Sequence, residues 1–205
     1  MIRQNIVILG GTGFVGRHLV SRLAADGHAI TLLSRNLGVH HERLLPPGVE
    51  LREVDVYDPT ALRQSFTGCD VVVNLVGILN EKGDNGRGFR RAHVELTKLV
   101  IAAMQLAGVR RLLQMSSLNA GRGRSHYLKS RGEAEAAVKA SGLDWTIFQP
   151  SVIFGPGDGF FCRFAALLKL ARPVLPLARA GARFAPVYVG DVVEAMRRCL
   201  HLRGS

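Results

Sequence analysis

The sequence predicts an α/β fold, a doubly wound parallel sheet with helices on both faces and a small C-terminal lobe. Three observations predict this fold. Short β-rich runs alternate with helical stretches from the first residues onward. The run 5–10 is almost continuously apolar, which is typical of a parallel strand buried on both faces. A glycine-rich turn then leads into an amphipathic helix, so repeated β-α units are expected.

The first part of the chain gives clear boundaries for its elements. An apolar stripe along one helical face predicts a helix over 14–25, which ends at Asp26–Gly27. Apolar runs predict strands over 29–33 and 49–54. The next helix begins at Asp58–Pro59, because proline fits the first turn of a helix.

The middle of the chain continues the alternation. A fourth strand is predicted over 70–76, followed by a glycine- and charge-rich loop over 80–88. A long helix then runs to Ala107, where Gly108 ends it. The fifth strand is predicted over 111–115.

A helix over 127–140 and a strand over 145–149 complete the predicted sheet. Residues 1–150 are therefore expected to form one Rossmann domain. Residues 151–205 are expected to form a small lobe that packs on the same domain and covers the carboxyl ends of the strands, where ligands bind in such folds. The lobe is predicted to contain a helix over 160–170, an irregular stretch over 172–186 and a last helix capped by Asp191.

The composition is that of a globular protein without a membrane span. Hydrophobic residues make up 47% of the chain, and no run reaches the roughly 20 apolar residues that cross a bilayer. Because the chain enters a strand almost at once, a signal peptide is not expected and the cytoplasm is the predicted compartment. The three cysteines are scattered, which predicts reduced thiols, and no metal site is expected.

The net charge of +11 concerns binding partners rather than the fold. It suits a phosphorylated cofactor, and it also suits an anionic membrane surface, so a peripheral position at the inner membrane stays open. The arginines occur in scattered pairs that are not interleaved with aromatic residues. Nucleic acid is therefore not an expected partner.

The turn after the first strand has the pattern of a phosphate-binding loop. Gly10 and Gly13 would let the backbone approach a pyrophosphate, and Gly16 would let the helix pack closely on the strand. The helix N-terminus adds N–H donors and a positive dipole. With a strand before it and a helix after it, this spacing predicts a nicotinamide dinucleotide site. The predicted contacts from this loop are Gly10, Thr12, Gly13, Phe14, Val15 and Gly16.

The ends of the next strands predict the rest of the cofactor site. NAD sites usually carry an acidic residue after the second strand, but this chain has Arg35 there. Because arginine pairs with a 2′-phosphate, NADP(H) is favoured, and NAD(H) beside a solvent-facing Arg35 stays open as the alternative. Asp55 and Val56 are expected to contact adenine. The residues expected to line the ribose are Leu75, Val76 and Gly77.

Further motifs follow the glycine loop along almost the whole chain. They are Gly10–Gly16, Asp55–Val56, Asn74–Gly77, Ser116–Ser117, Tyr127, Gln149–Gly155 and Pro186–Val192. Together they resemble an extended or atypical short-chain dehydrogenase/reductase of the epimerase/dehydratase type. Three segments look most like the branch that contains the nucleotide-binding accessory subunit of respiratory complex I and its bacterial relatives, namely Leu118–Ala120, Tyr127–Leu128 and Pro150–Gly155. The segment Pro186–Val192 is similar to a later segment of that branch. Such proteins are usually longer, so the resemblance implies that part of the substrate lobe is missing here.

The resemblance implies a catalytic tyrosine and lysine four residues apart on one helical face, assisted by an upstream hydroxyl. Tyr127 occupies the tyrosine position, whereas Arg131 stands at the lysine position. Arginine keeps the positive charge of lysine, but its planar guanidinium is bulkier than an ammonium group. Ser117 is the expected hydroxyl partner. His93 stands where many relatives carry an asparagine that supports a proton-relay water. Other expected cofactor contacts are Ser116, Pro150 and Val152.

Two functions stay open at this point. Tyr127 and Ser117 favour an NADP(H)-dependent oxidoreductase or epimerase with a small carbonyl, hydroxyl or quinone-like substrate. Arg131 and His93 favour a non-catalytic nucleotide-binding protein, such as a redox sensor, an assembly factor or an accessory subunit. The basic surface would suit docking of that protein to a respiratory complex or an anionic membrane.

Overall fold

The predicted parallel sheet is present in the computed structural model, which describes residues 2–35, 45–81, 83–159 and 184–201. Within these ranges, six parallel strands form one sheet in the order β3-β2-β1-β4-β5-β6. This order confirms the doubly wound fold. The strands are β1 (Asn5–Leu9), β2 (Ala29–Ser34), β3 (Val49–Glu53), β4 (Val71–Asn74), β5 (Arg111–Met115) and β6 (Asp144–Phe148).

Helices follow the strands at nearly the predicted positions. They are α1 (Phe14–Ala25), α2 (Pro59–Phe66), α3 (Arg87–Phe89), α4 (Leu96–Ala107), α5 (His126–Lys139) and α6 (Val189–Cys199). Asp58 caps α2 by accepting the Thr60 N–H at 2.8 Å, and Gly108 ends α4 in the left-handed conformation. The helix predicted over 160–170 lies outside the described residues, as does most of the irregular stretch that follows it.

Alternate residues of the strands supply two separate hydrophobic cores. Ile6 and Ile8 of β1 face one side of the sheet and pack in a cluster with α1 and α6. Val7 and Leu9 face the other side and pack in a cluster with α2 and α4. Burial on both faces explains why the run 5–10 is apolar without alternation. The sheet therefore provides a rigid edge on which the loops after its strands are placed.

The long helix predicted to end at Ala107 is not uniform. Residues Arg90–Glu95 form a π-helical segment between α3 and α4. Such segments insert extra backbone per turn and often occur at functional sites. Here the segment places His93 in the interior, where it is 1% exposed.

A second, small sheet begins the lobe. Ile153–Phe154 forms β7, which pairs in parallel with β8 at Val187–Tyr188. Asp191 was expected to cap the last helix, and this expectation is wrong. Tyr188 is the N-cap, and Asp191 lies in the first turn of α6, because the helix begins at Val189 as soon as β8 ends.

Candidate functional site

The candidate site lies at the carboxyl edge of the sheet, where the strand order reverses. β1 pairs with β2 on one side and with β4 on the other. In doubly wound sheets this switch point opens a crevice that ligands occupy. The loops after β1, β4, β5 and β6 meet at this edge, and they carry most of the residues predicted for the site.

The glycine loop after β1 is packed too closely for side chains. Gly10 has a φ of +76°, a conformation that favours glycine. A Cβ atom on Gly16 would lie 2.5 Å from the backbone oxygens of Gly10 and Gly11, and one on Gly13 would lie 3.2 Å from the Gly10 oxygen. Gly11, which the sequence did not single out, is also constrained, since its Cβ would lie 2.6 Å from the Leu32 side chain.

The N-terminus of α1 is open to an anion. Its N-cap is Gly13, which forms no side-chain capping bond, and its first turn holds no acidic residue. The free N–H groups and the helix dipole therefore favour a negatively charged group at this end. Thr12, Phe14 and Val15 are half-buried around it. A glycine-rich, closely packed loop beside an open helix N-terminus fits the pyrophosphate of a dinucleotide.

The ends of β2 and β3 carry the residues predicted for the adenosine side of the site. Arg35 follows β2 directly and is exposed at the same edge as the glycine loop. Asp55 is also exposed, and its Oδ1 accepts the Tyr57 N–H at 3.0 Å. Val56 is 6% exposed and belongs to the core, so a contact with adenine would fall to its backbone.

The loop after β4 accommodates Arg131. A Cβ atom on Gly77 would collide with Nη2 of Arg131. Arg131 is 6% exposed, and its Nη1 donates a hydrogen bond to the Met115 carbonyl at 3.0 Å. Gly77 therefore makes room for Arg131, a role that the sequence did not predict. Leu75 and Val76 are half-buried and pack against the two cores on either side of the sheet.

Helix α5 places the two principal catalytic candidates together. Ser125 caps the helix by accepting the Leu128 N–H at 3.2 Å, so Tyr127 stands in the first turn. Arg131 follows one turn later, and its Cζ lies 5.5 Å from the centre of the Tyr127 ring. Among the described residues, the Tyr127 hydroxyl has no hydrogen-bond partner.

Two buried polar atoms in this region lack hydrogen-bond partners in the described ranges. They are the Ser117 Oγ and the Arg131 Nε. Since buried polar groups are normally hydrogen-bonded, these atoms fit polar groups of a ligand, such as ribose hydroxyls or a substrate oxygen. Ser116 differs, because its hydroxyl donates to Oε1 of Glu135 at 2.6 Å. The Ser116 side chain is therefore directed toward α5.

The segment after β6 lies on the same side of the switch point as β4 and β5. The Leu118 N–H donates to the Pro150 carbonyl at 2.8 Å, which joins the loops after β5 and β6. The Val187 N–H donates to the Val152 carbonyl at 2.9 Å and joins this segment to β8. Pro150 and Val152 are half-buried. Their backbone is thus fixed at the expected nicotinamide end.

Arg17 and His18 connect helix α1 to the loop after β7, a contact that was not predicted from the sequence. Arg17 Nη2 donates to the Gly157 carbonyl at 2.6 Å and to the Pro156 carbonyl at 3.1 Å. His18 Nε2 lies 3.1 Å from the same Pro156 oxygen. No local pattern predicts contacts between residues so far apart in the chain.

His93 is a buried structural member of the site. Its Nε2 accepts the Ile78 N–H at 3.2 Å, so Nδ1 carries the proton and donates to the Ser130 Oγ at 2.9 Å. The ring makes an edge contact with Tyr127 at 5.5 Å between centroids. Burial, and then the charge of Arg131, lowers the pKa of His93 to about 3. A neutral histidine in this network holds the loop after Gly77 against α5.

This pKa predicts a pH dependence of stability. Between pH about 6.5 and about 3, His93 takes up a proton in the unfolded chain but not in the folded chain. The contribution of His93 to the free energy of unfolding should be fully present above this window. It should be lost as the pH falls through the window, by up to about 1.4 kcal/mol per pH unit. The measurement is urea unfolding at several pH values, comparing wild type with His93→Asn, which should have a shallower slope. His126→Asn, at an exposed site, is the control. Equal slopes for wild type and His93→Asn would contradict the prediction.

Other chemistry has little support in the described ranges. No group of three or more His, Cys, Asp and Glu side chains there could hold a metal ion. None of the helices described is both long enough and apolar enough to span a bilayer. Burial, together with the charge of Asp70, raises the pKa of the Cys69 thiol to about 12, so this thiol is a poor nucleophile.

Comparison with protein families identifies the ligand class. A family model described as NAD(P)H-binding matches residues 10–158, from the glycine loop to the loop after β7. The chain belongs to the NAD(P)H-binding family. The match begins at Gly10, where the structure shows the closely packed loop and the open helix end. Dinucleotide binding by this NAD(P)H-binding protein therefore agrees with the geometry of the site.

Two curated relatives confirm the resemblance drawn from the sequence. The ceramide reductase of Caulobacter vibrioides (strain NA1000 / CB15N) is 34% identical over 95% of this chain. Subunit 9 of the NADH dehydrogenase [ubiquinone] 1 alpha subcomplex from mouse mitochondria is 31% identical over 92% of this chain. The chain spans 60% and 51% of the lengths of these two relatives. It is thus related to oxidoreductases and to a complex I subunit.

Solved structures confirm the fold. MoeE5 in complex with UDP-glucuronic acid and NAD superposes with a TM-score of 0.79 at 22% identity, covering 97% of this chain and 73% of that one. The Bordetella bronchiseptica enzyme WbmH in complex with NAD+ gives a TM-score of 0.80 at 19% identity, covering 99% and 74%. At these identities the likeness concerns the fold.

Proposed function

We propose that this chain is an NADP(H)-dependent oxidoreductase or epimerase of the short-chain dehydrogenase/reductase type. One observation carries the proposal. Tyr127 and Arg131 occupy consecutive turns of α5, and the buried Ser117 hydroxyl has no partner among the described residues. A hydroxyl, a phenol and a fixed positive charge at the carboxyl edge of the sheet form a set that can act on a carbonyl or hydroxyl group.

The side chains have separate tasks in this proposal. A bound nicotinamide dinucleotide would supply or accept the hydride. Tyr127 would exchange a proton with the substrate oxygen, and Ser117 would donate a hydrogen bond to that oxygen. Arg131 would keep a permanent positive charge near the Tyr127 ring and stabilise negative charge that develops on the reacting oxygen.

The preference for NADP(H) rests on Arg35. A guanidinium at the end of β2 can form two parallel hydrogen bonds with a 2′-phosphate. Arg35 is exposed at this edge, next to the glycine loop. Residues 1–150 would then bind the dinucleotide, and residues 151–205 would contribute to the substrate lobe.

Arg35→Asp tests the cofactor preference. We expect the affinity for NADPH to fall by about tenfold and the affinity for NADH to be kept or raised, because a carboxylate repels the 2′-phosphate and accepts ribose hydroxyls. Fluorescence titration of both cofactors against both proteins measures this. Arg3→Asp makes the same charge change before β1, at the opposite edge of the sheet, and should leave both affinities unchanged. Equal wild-type affinities that Arg35→Asp does not alter would refute the preference, and a wild-type chain that binds neither cofactor would refute the site.

The substrate is proposed to be an apolar carbonyl or quinone-like compound. Leu79 is 75% exposed, and Leu118 and Tyr188 are each 45% exposed. Leu79 and Leu118 follow β4 and β5, so both lie at the carboxyl edge that holds the site. The name of one relative refers to ceramide and that of another to ubiquinone, both of which carry long apolar chains.

A non-catalytic accessory role is the second candidate. It is favoured by the packing of Arg131, whose Nη1 bonds to the Met115 carbonyl and whose guanidinium fills the space beside Gly77. An arginine held in this way keeps the cofactor site intact without reproducing a catalytic lysine. The relationship to a complex I subunit and the net charge of +11 would suit docking to a respiratory complex or to an anionic membrane at the periphery of the inner membrane.

A further inference from the structure

We infer that Glu135 is a positioning residue that sets the nicotinamide end of the site. Glu135 lies on α5, one turn after Arg131 and two turns after Tyr127, and it is 5% exposed. The hydrogen bonds of Glu135 within the described residues go to Ser116, Lys139 and Gln149, and none goes to the glycine loop or to the ends of β2 and β3. The inference rests on the proposed dinucleotide site and concerns how one half of that site is held in place.

The Glu135 carboxylate joins three elements of the fold. Its Oε1 accepts the Ser116 hydroxyl at 2.6 Å and the Gln149 side-chain N–H at 2.7 Å. Its Oε2 accepts a hydrogen bond from the Lys139 Nζ at 3.3 Å. Lys139 lies at the exposed end of the same helix, and its positive charge balances the buried negative charge of Glu135. Ser116 follows β5 and Gln149 follows β6, so one carboxylate fixes both strand ends to α5.

The residues next to these strand ends are those proposed to meet nicotinamide and substrate. Ser117 comes directly after Ser116, and Pro150 comes directly after Gln149. On the helix, Arg131 binds the carbonyl of Met115, one residue before Ser116. Two adjacent turns of α5 are therefore bonded to the same strand end, and these bonds set the spacing between the Tyr127 hydroxyl and the Ser117 hydroxyl.

The energetics support a role in geometry. Burying a carboxylate is costly, and well-packed apolar residues at such sites commonly give equal or greater stability. Short charge-assisted hydrogen bonds to two neighbouring strand ends, in contrast, restrain both backbones in direction as well as in distance. Functional side chains need support of this kind, because a small displacement of the reacting groups has a large effect.

The two halves of the cofactor separate this role from general damage to the fold. We use whichever reduced cofactor the wild-type chain binds more tightly, together with its adenosine half, 2′,5′-ADP for NADPH or 5′-ADP for NADH. Glu135→Ala should weaken binding of the whole cofactor by about tenfold and leave binding of the adenosine half unchanged. Glu135→Gln should bind both as the wild type does, because its amide oxygen still accepts from Ser116 and Gln149. Isothermal calorimetry measures the affinity for both ligands in the wild type and in each variant.

The controls make each result decisive. Glu133→Ala removes an exposed carboxylate from the same helix, one that pairs with Arg90 at 2.8 Å, and should change neither affinity. Gln149→Leu removes one donor to Glu135 and should weaken the whole cofactor in the same way, which keeps the test valid if Glu135→Ala does not fold. The inference would be overturned, and the proposed function left standing, if Gln149→Leu or Glu135→Ala lost affinity equally for the whole cofactor and its adenosine half. The same holds if either variant lost affinity for neither ligand. A wild-type chain that binds neither ligand would overturn the proposed function and this inference with it.

Discussion

Gly16→Ala is expected to lower dinucleotide affinity by on the order of a hundredfold, since the phosphate-binding backbone has to move. A Cβ atom at this position would lie 2.5 Å from the carbonyl oxygens of both Gly10 and Gly11. Real Cβ contacts are longer, and backbone atoms, unlike side-chain ends, cannot rotate away. The displaced loop would no longer direct its N–H groups and the N-terminus of α1 at the pyrophosphate.

The measurement is a cofactor titration together with urea unfolding. Alanine favours helix more than glycine does, but the overlap should outweigh this gain and lower the free energy of unfolding by about 1–3 kcal/mol. Gly159→Ala is the control, because a Cβ atom there meets no atom of the described residues within 4 Å. Wild-type affinity in Gly16→Ala would show that the pyrophosphate binds elsewhere.

Arg131→Met is expected to lower cofactor affinity by about tenfold and to abolish any turnover. Methionine fills a similar volume, but it cannot donate to the Met115 carbonyl or carry the charge beside Tyr127. The loop at Gly77 would lose the guanidinium that packs against it. Cofactor titration and a reductase assay over a panel of carbonyl compounds, including quinones, measure both effects.

Arg131→Lys provides the matched comparison. Lysine keeps the charge and restores the tyrosine–lysine spacing of the resembled family, so cofactor binding should be retained and any reductase turnover should rise. Arg131→Met with wild-type affinity would contradict the assigned role of Arg131. If Arg131→Lys binds cofactor but reduces no compound of the panel, the accessory function is favoured over the enzyme.

The sheet and the glycine loop were predictable because local physical rules determine them. The apolar run that became β1 has no alternation, which requires burial on both faces, and the structure provides a core on each face. Gly10, Gly13 and Gly16 follow the steric demands of one tight turn and one close contact. Asp58 begins α2 through a capping hydrogen bond, and Gly108 ends α4 through its left-handed backbone conformation. Both effects involve only residues close together in the chain.

The remaining features depend on contacts between distant residues, which periodicity does not report. The π-helical segment Arg90–Glu95 contains no glycine or proline that would announce it. The sequence placed Arg131 at the lysine position, but its bond to the Met115 carbonyl depends on how α5 packs against β5. Glu135 was not singled out, because its partners Ser116 and Gln149 lie on other elements.

A crystal structure with NADPH bound would decide whether the proposed site holds the cofactor. We expect the pyrophosphate to lie against the first-turn N–H groups of α1, with the 2′-phosphate beside Arg35. A substrate carbon would react at a position next to the Tyr127 hydroxyl. We expect nicotinamide C4 to lie within about 4 Å of that position. A dinucleotide bound away from Gly10–Gly16, or a nicotinamide ring directed away from Tyr127 and Ser117, would contradict the proposed site.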